Sequence, residues 1–127
     1  MKSILVVEDE LHLREAVCDI LRSANYSILE AGHGAQAKTV LSTSKVDLIV
    51  CDMKMPQMNG FELLKWVRSG KYIPFILMTG VPENLEARAV FEMEIDNFII
   101  KPFSRKDLLS AVSEAFGTSS AKANKQA

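Results

Sequence analysis

The chain contains four short apolar runs, each followed directly by side chains that carry a carboxylate, a hydroxyl or an ammonium group. The runs are residues 4–7 before Glu8 and Asp9, 48–51 before Asp52, 75–78 before Thr79, and 98–100 before Lys101. Apolar runs of this length are typical of buried strands. In an open parallel sheet, ligands bind in the crevice beyond the carboxyl ends of the strands. The sequence therefore predicts one crevice that collects three carboxylates, a hydroxyl and an ammonium group.

Strand-like runs alternate with amphipathic stretches five times along the chain, which is typical of βα units and a parallel sheet. Runs that are apolar throughout indicate strands with helices over both faces, whereas Tyr26–Leu29 is less uniformly apolar and is placed near an edge. Right-handed crossovers favour the strand order 2-1-3-4-5. The predicted fold class is α/β, with a doubly wound, five-stranded parallel sheet and five helices in the flavodoxin-like arrangement.

Capping residues and apolar spacing set the limits of the predicted helices. The five helices cover about residues 10–24 and 34–42, start at Asn59, cover about residues 82–93, and start at Ser104. Asn59 and Ser104 are good N-cap residues, and Asp107 follows Ser104 at the spacing of a capping box. After the last apolar position of the fifth helix, the residues are small or polar without periodicity. We therefore predict one domain over residues 1–117 and a flexible tail or linker stub over 118–127.

Composition restricts the classes of function. With 127 residues, 48% hydrophobic and 24% charged, the chain can form the core of one soluble domain. A formal net charge of -1 offers no basic surface, so we expect no direct nucleic-acid binding. The longest apolar runs are strand-sized, so we expect no membrane span. Met1 leads straight into a strand without a secretory signal, and we therefore expect a cytoplasmic protein.

Residues 52–60, Asp-Met-Lys-Met-Pro-Gln-Met-Asn-Gly, add a proline-led turn and a glycine just after the central acid. With this stretch, the chain resembles the receiver domain of two-component response regulators over about residues 2–117. The matching pieces are Glu8-Asp9, the D-x-x-M-P-x-M-x-G run from Asp52, Thr79, and Lys101-Pro102-Phe103. Each piece alone has an ordinary reading, such as a helix cap, a turn or a surface lysine. The complete set in this order is specific to the family.

The resemblance implies a metal-dependent phosphoacceptor site. Asp52 would accept the phosphoryl group, and Glu8, Asp9, Asp52 and the backbone carbonyl of Lys54 would hold Mg²⁺ or Mn²⁺. The residue types agree, because Mg²⁺ prefers oxygen ligands and crowded carboxylates repel one another until a cation or a proton reduces the charge. The resemblance also implies that the protein accepts the phosphoryl group onto itself and is not an enzyme that turns over an outside metabolite.

The family likeness further implies a conformational switch. Thr79 would hydrogen-bond the bound phosphoryl group and Lys101 would pair with it, so phosphorylation would draw Thr79 toward the site. Phe98 matches the switch aromatic of the family and would rotate into the space that Thr79 leaves. The face formed by the fourth helix, the fifth strand and the fifth helix would then change, and homodimerisation through that face stays open. The family also implies a cis peptide bond between Lys101 and Pro102.

The implied partner is a sensor histidine kinase or a histidine phosphotransfer protein. Leu13, Ala16, Pro102 and Phe103 would form the apolar rim on which the histidine domain docks. Small phosphodonors are also expected to react, because the domain supplies both the nucleophile and the metal site.

Two other functions stay open at this point. The first is a receiver-like interaction module that works without phosphorylation, for which Phe98 leaves room because it lacks the hydroxyl of a tyrosine. The second is a phosphatase with an aspartyl nucleophile. Lys54 argues against the second, since such enzymes commonly carry another acid two residues after the nucleophile.

Overall fold

The computed structural model describes residues 1–70, 72–80 and 97–126, with side chains as far as residue 117. The elements in chain order are β1 (Ser3–Val7), α1 (Leu11–Ser23), β2 (Ser27–Ala31), α2 (Gly34–Thr43), β3 (Leu48–Asp52), α3 (Gly60–Arg68), β4 (Phe75–Thr79), β5 (Asn97–Ile100) and α4 (Arg105–Gln126). The α4 helix corresponds to the fifth predicted helix. The helix predicted over 82–93 lies outside the described residues.

The five strands form one parallel sheet in the order β2-β1-β3-β4-β5. The predicted fold class and strand order are therefore confirmed. The register aligns the strand ends closely: Val7 pairs with Cys51, and Thr79 pairs with Ile100. Residues that follow β1, β3, β4 and β5 consequently emerge side by side at one edge of the sheet.

Alternation along the buried strands divides the core into two clusters, one on each face of the sheet. The cluster beneath α2 and α3 includes Leu5, Val7, Ile49, Cys51, Phe75, Leu77, Ala37, Leu63, Leu64 and Val67. The cluster beneath α1 and α4 includes Ile4, Val6, Leu48, Val50, Ile76, Met78, Val17, Leu21, Leu108 and Val112. Successive strand side chains point to opposite faces, so a continuous apolar run serves both clusters. This explains why the strands show no polar alternation.

Both predicted N-caps are present. The Asn59 side chain accepts from the Glu62 backbone N–H at 2.9 Å, and the Asn59 N–H donates to the Glu62 carboxylate at 3.1 Å, forming a capping box. Ser104 and Asp107 make the same reciprocal pair at 3.0 and 3.2 Å. Each box satisfies N–H groups that the first turn of a helix leaves without a partner.

The α4 helix continues to Gln126, whereas residues 118–127 were expected to form a tail. These residues lack the apolar periodicity on which a helix prediction depends. Alanine, lysine and glutamine nevertheless have good helix propensity, so a helix already begun at Arg105 can extend through them. The domain boundary at residue 117 stays a prediction.

Gly60 and Gly117 provide a matched pair of glycine-to-alanine substitutions. A Cβ at Gly60 would meet Leu77 Cδ1 at 2.7 Å and the Asp52 carbonyl oxygen at 2.8 Å, whereas a Cβ at Gly117 would meet nothing within 4 Å. We expect Gly60→Ala to lower the free energy of unfolding by about 1–3 kcal/mol through overpacking. We expect Gly117→Ala, inside α4, to raise it by about 0.5–1 kcal/mol. Urea unfolding measures both, and equal midpoints would contradict the close packing at Gly60.

Candidate functional site

Three carboxylates converge where β1 and β3 end. One oxygen from each of Glu8, Asp9 and Asp52 lies within 4.8 Å of the others. Glu8 and Asp52 are only 1% and 5% exposed, whereas Asp9 is exposed. The parallel register of β1 and β3 causes this convergence, because it brings the residues after Val7 beside the last residue of β3.

Lys101 reaches into this group of acids from the end of β5. Its Nζ lies 2.7 Å from Asp52 Oδ1 and 3.1 Å from Glu8 Oε1, and its side chain is 26% exposed. The Lys101 backbone N–H donates to the Thr79 carbonyl at 2.7 Å, which continues the pairing of β4 and β5 beyond Ile100. The Lys101–Pro102 peptide bond is cis, as the family likeness implied.

The site contains three acidic side chains and one lysine. Burial raises the pKa of Glu8; the hydrogen bond from the Glu10 backbone N–H lowers it, and the negative charge of Asp52 raises it further. Burial alone would lower the pKa of Lys101, but its hydrogen bond to Asp52 and the charges of Asp52 and Glu8 raise it overall. Lys101 therefore stays protonated, yet its single positive charge faces three carboxylates.

The remaining residues expected at the site lie around this centre. Thr79 ends β4 and is 3% exposed. Phe98 is partly buried and packs against the core cluster beneath α2 and α3. Lys54 is exposed and directly follows Met53, whose backbone N–H and carbonyl are bonded to Met78 and Gly60 at 2.8 and 2.9 Å. The loop after Asp52 is thus anchored just before Lys54.

The four residues expected at a docking rim differ in exposure. Leu13 and Phe103 are partly buried against the core cluster beneath α1 and α4. Ala16 and Pro102 are exposed. Leu11, which was not among the predicted rim residues, is also 48% exposed in the first turn of α1.

Arg14 is a second residue that sequence reasoning missed. Its Nη1 donates to the Glu8 backbone carbonyl at 2.8 Å, next to the acids. The sequence permits this contact without specifying it, since helical side chains point back toward the N-terminus of their helix. An arginine one turn into α1 can therefore reach the loop from which the helix starts.

The residues present fit a divalent cation. Glu8, Asp9 and Asp52 supply oxygen ligands of the type that hard divalent cations select. Burial, and to a smaller extent the negative charge of Asp52, raise the pKa of Glu8, which is consistent with a deficit of positive charge around this buried acid. A cation among the three acids would remove that deficit.

Relatives of known structure share the whole fold. The chemotaxis response regulator CheY4 of Vibrio cholerae superposes with a TM-score of 0.84 at 27% identity, covering 91% of this chain and 98% of that chain. The signal receiver domain of an HD domain-containing protein from Pseudomonas fluorescens Pf-5 gives 0.86 at 28% identity, covering 97% and 92%. The receiver domain of a histidine kinase from Syntrophus aciditrophicus gives 0.84 at 30%, covering 93% and 92%.

Curated relatives are longer proteins. The chain is 31% identical over 105 residues to the probable transcriptional regulator ycf27 of Cyanidium caldarium. The aligned stretch covers 83% of this chain and 42% of that protein. It is 30% identical over 109 residues to the DNA-binding response regulator MtrA of Mycolicibacterium paratuberculosis, covering 86% and 48%. The chain thus spans less than half the length of these two regulators.

Among the described residues, no helix is both long and apolar enough to cross a membrane.

The family model of the response regulator receiver domain matches residues 4–113, which is most of the chain. The resemblance seen in the sequence is confirmed, and the chain belongs to the response regulator receiver domain family.

Proposed function

We propose that this receiver domain accepts a phosphoryl group on Asp52 in a magnesium-dependent reaction. The observation that carries the proposal is the contact of Lys101 with Asp52 inside the cluster of three acids. Asp52 ends β3 at the edge of the sheet where the other strand ends meet, and a donor can approach it there. The chain's membership of the response regulator receiver domain family supports the same general role as a phosphoacceptor.

Asp52, Lys101 and Thr79 have different roles in the phosphoryl transfer. A carboxylate oxygen of Asp52 attacks phosphorus while the bond from phosphorus to the donor histidine nitrogen breaks, and the imidazole leaves with the electron pair. Lys101 offsets charge on the phosphoryl oxygens, and Thr79 donates a hydrogen bond to one of them. Because the acceptor is the protein itself, the domain is not an enzyme acting on an outside metabolite.

Glu8, Asp9 and Asp52, with the backbone carbonyl of Lys54, would hold Mg²⁺ or Mn²⁺. When bound, the ion offsets the charge of the acids and of the incoming phosphoryl group. The burial of Glu8 and the exposure of Asp9 suit them to different tasks. Glu8 lies beside Lys101, while the exposed Asp9 would be accessible to an arriving ion.

The proposed donor is a phosphohistidine on a sensor kinase or a phosphotransfer protein, in the cytoplasm. Docking would use Leu13, Ala16, Pro102 and Phe103, which lie on the α1 and β5–α4 side of the acids. MtrA is a DNA-binding regulator; for this chain we propose that any nucleic-acid contact belongs to a separate output domain. The net charge of -1 supports that division.

Phosphorylation would be transmitted through Thr79 and Phe98. Movement of Thr79 toward the phosphoryl oxygens would free space at the end of β4, and the half-buried Phe98 ring would turn into it. The face containing β5 and α4 would then change shape for a partner or for a second copy of the chain. The helix predicted over 82–93, which the family likeness assigns to that face, lies outside the described residues.

Intact-mass analysis after incubation with acetyl phosphate tests the phosphoacceptor. We expect one phosphoryl adduct on the parent chain with Mg²⁺ present, because the carboxylate of Asp52 attacks the donor's phosphorus. We expect no adduct without divalent metal or in Asp52→Asn. The matched control is Asp19→Asn, an exposed aspartate on α1 that should leave the adduct intact. Absence of both an adduct and beryllofluoride binding in the parent would favour a phosphorylation-independent module instead.

A further inference from the structure

Arg14 connects the acidic loop to the edge strand of the sheet. Its Nη1 donates to the Glu8 backbone carbonyl at 2.8 Å, and its Nε lies 3.3 Å from the Glu30 carboxylate on β2. The Arg14 side chain is partly buried, with 19% of it exposed. Gly32 leaves room for it, since a Cβ there would stand 3.1 Å from Nη1. The arginine is thus held by β2 while it holds the loop after β1.

This contact acts on Asp9 through the peptide group. The Glu8 N–H donates to the Ala31 carbonyl at 3.1 Å, so both backbone polar groups of Glu8 are bonded. Because a peptide unit is planar, fixing the Glu8 carbonyl also fixes the N–H and the Cα position of Asp9. Asp9 is exposed, so packing restrains its backbone less than it restrains the buried Glu8. The hydrogen bond from Arg14 supplies restraint where packing is weak.

We infer that Arg14 is a positioning residue for the metal-binding acids: it sets the direction of the Glu8–Asp9 peptide and so keeps both carboxylates turned toward Asp52. The inference rests on the proposed function, because it concerns the affinity of the same acids for a divalent cation. Outer partners of metal ligands typically affect affinity by about 10–100-fold. Arg14 holds the backbone and not a ligating atom, so an effect near the lower end is expected.

The sign of the effect separates positioning from charge. Removing a nearby positive charge makes the region more negative, which by itself favours cation binding. Loss of positioning acts in the opposite direction and weakens binding. Arg22 provides the matched control, because it pairs with the same Glu30 at 3.4 Å and with Asp19 at 3.6 Å from further along α1. Arg22→Ala therefore removes the same charge from the same helix and leaves the bond to Glu8 in place.

The experiment is a Mn²⁺ titration of the full chain in which the electron paramagnetic resonance signal of the free ion gives Kd. Arg14→Ala is expected to raise Kd about 10-fold, while Arg22→Ala leaves it unchanged or lowers it. Gly32→Ala offers an independent route, since its Cβ would stand 3.1 Å from Nη1 and push the guanidinium away by a few tenths of an ångström, so a smaller rise in Kd is expected. Should Arg14→Ala fail to fold in urea unfolding controls, Gly32→Ala carries the test.

Each outcome decides one question. A raised Kd in Arg14→Ala and Gly32→Ala, with Arg22→Ala like the parent, supports positioning. A parent-like Kd in Arg14→Ala and in Gly32→Ala, even with a lowered free energy of unfolding, would mean that Arg14 has only a structural role and would overturn the inference. A parent chain that binds no Mn²⁺ and forms no acetyl-phosphate adduct would contradict the proposed function itself, whatever the variants do.

Discussion

Replacing Lys101 with methionine is expected to slow the phosphorylation of Asp52 by about 100-fold or more, because one fixed positive donor at the reacting group is lost. Lys101 Nζ stands 2.7 Å from Asp52 Oδ1 and 3.1 Å from Glu8 Oε1. An ammonium held between two acids before the donor arrives needs little rearrangement to contact the incoming phosphoryl oxygens. Methionine keeps the unbranched apolar stem and removes only the charge and its hydrogen bonds.

The measurement is the initial rate of adduct formation by mass spectrometry, at saturating Mg²⁺ and several acetyl phosphate concentrations. Lys106→Met is the matched control, since Lys106 is exposed in the first turn of α4 and loses the same charge. The control should react like the parent. Circular dichroism in urea shows whether the Lys101 variant is folded. A folded variant that reacts at the parental rate would show that Lys101 serves only to neutralise the acids in the absence of metal.

The architecture of the sheet could be read from the sequence because each of its signals is local. A four-residue apolar run before Glu8 or Asp52 identifies both a strand and its polar end, and Asn59 identifies a helix start through its own side chain. Right-handed crossovers then favour a doubly wound strand order without knowledge of any particular contact. The convergence of the acids follows from that order, since parallel strands in register end together.

The details of the site were not readable in the same way, because they depend on contacts between elements. Glu8 and Asp9 are equivalent acids in the sequence, but one is buried beside Lys101 and the other is exposed. The bond from Arg14 to Glu8 depends on how α1 crosses β2 and on the missing side chain at Gly32. Neither the crossing nor the free space produces a periodic signal.

Glu8→Gln is expected to increase the stability of the metal-free chain at pH 7. Burial raises the pKa of Glu8 above the ordinary value of 4.5, so the folded chain binds this proton more tightly than the unfolded chain. By linkage, the contribution of Glu8 to stability is fully present below pH 4.5 and is lost as pH rises through the folded pKa. Glutamine keeps a carbonyl oxygen for the Glu10 N–H and removes the titration.

With Mg²⁺ present, the parent chain should become more stable than Glu8→Gln. At a free Mg²⁺ concentration about 100 times its Kd, binding stabilises the parent by about 2.7 kcal/mol. Glu8→Gln lacks one charged ligand, so Mg²⁺ stabilises this variant less. Glu15→Gln, an exposed glutamate on α1, controls for the loss of one negative charge. Urea unfolding at pH 4 and pH 7, with and without Mg²⁺, measures the difference between each variant and the parent. A Glu8→Gln variant less stable than the parent at pH 7 without metal would mean that its pairing with Lys101 outweighs the burial of its charge.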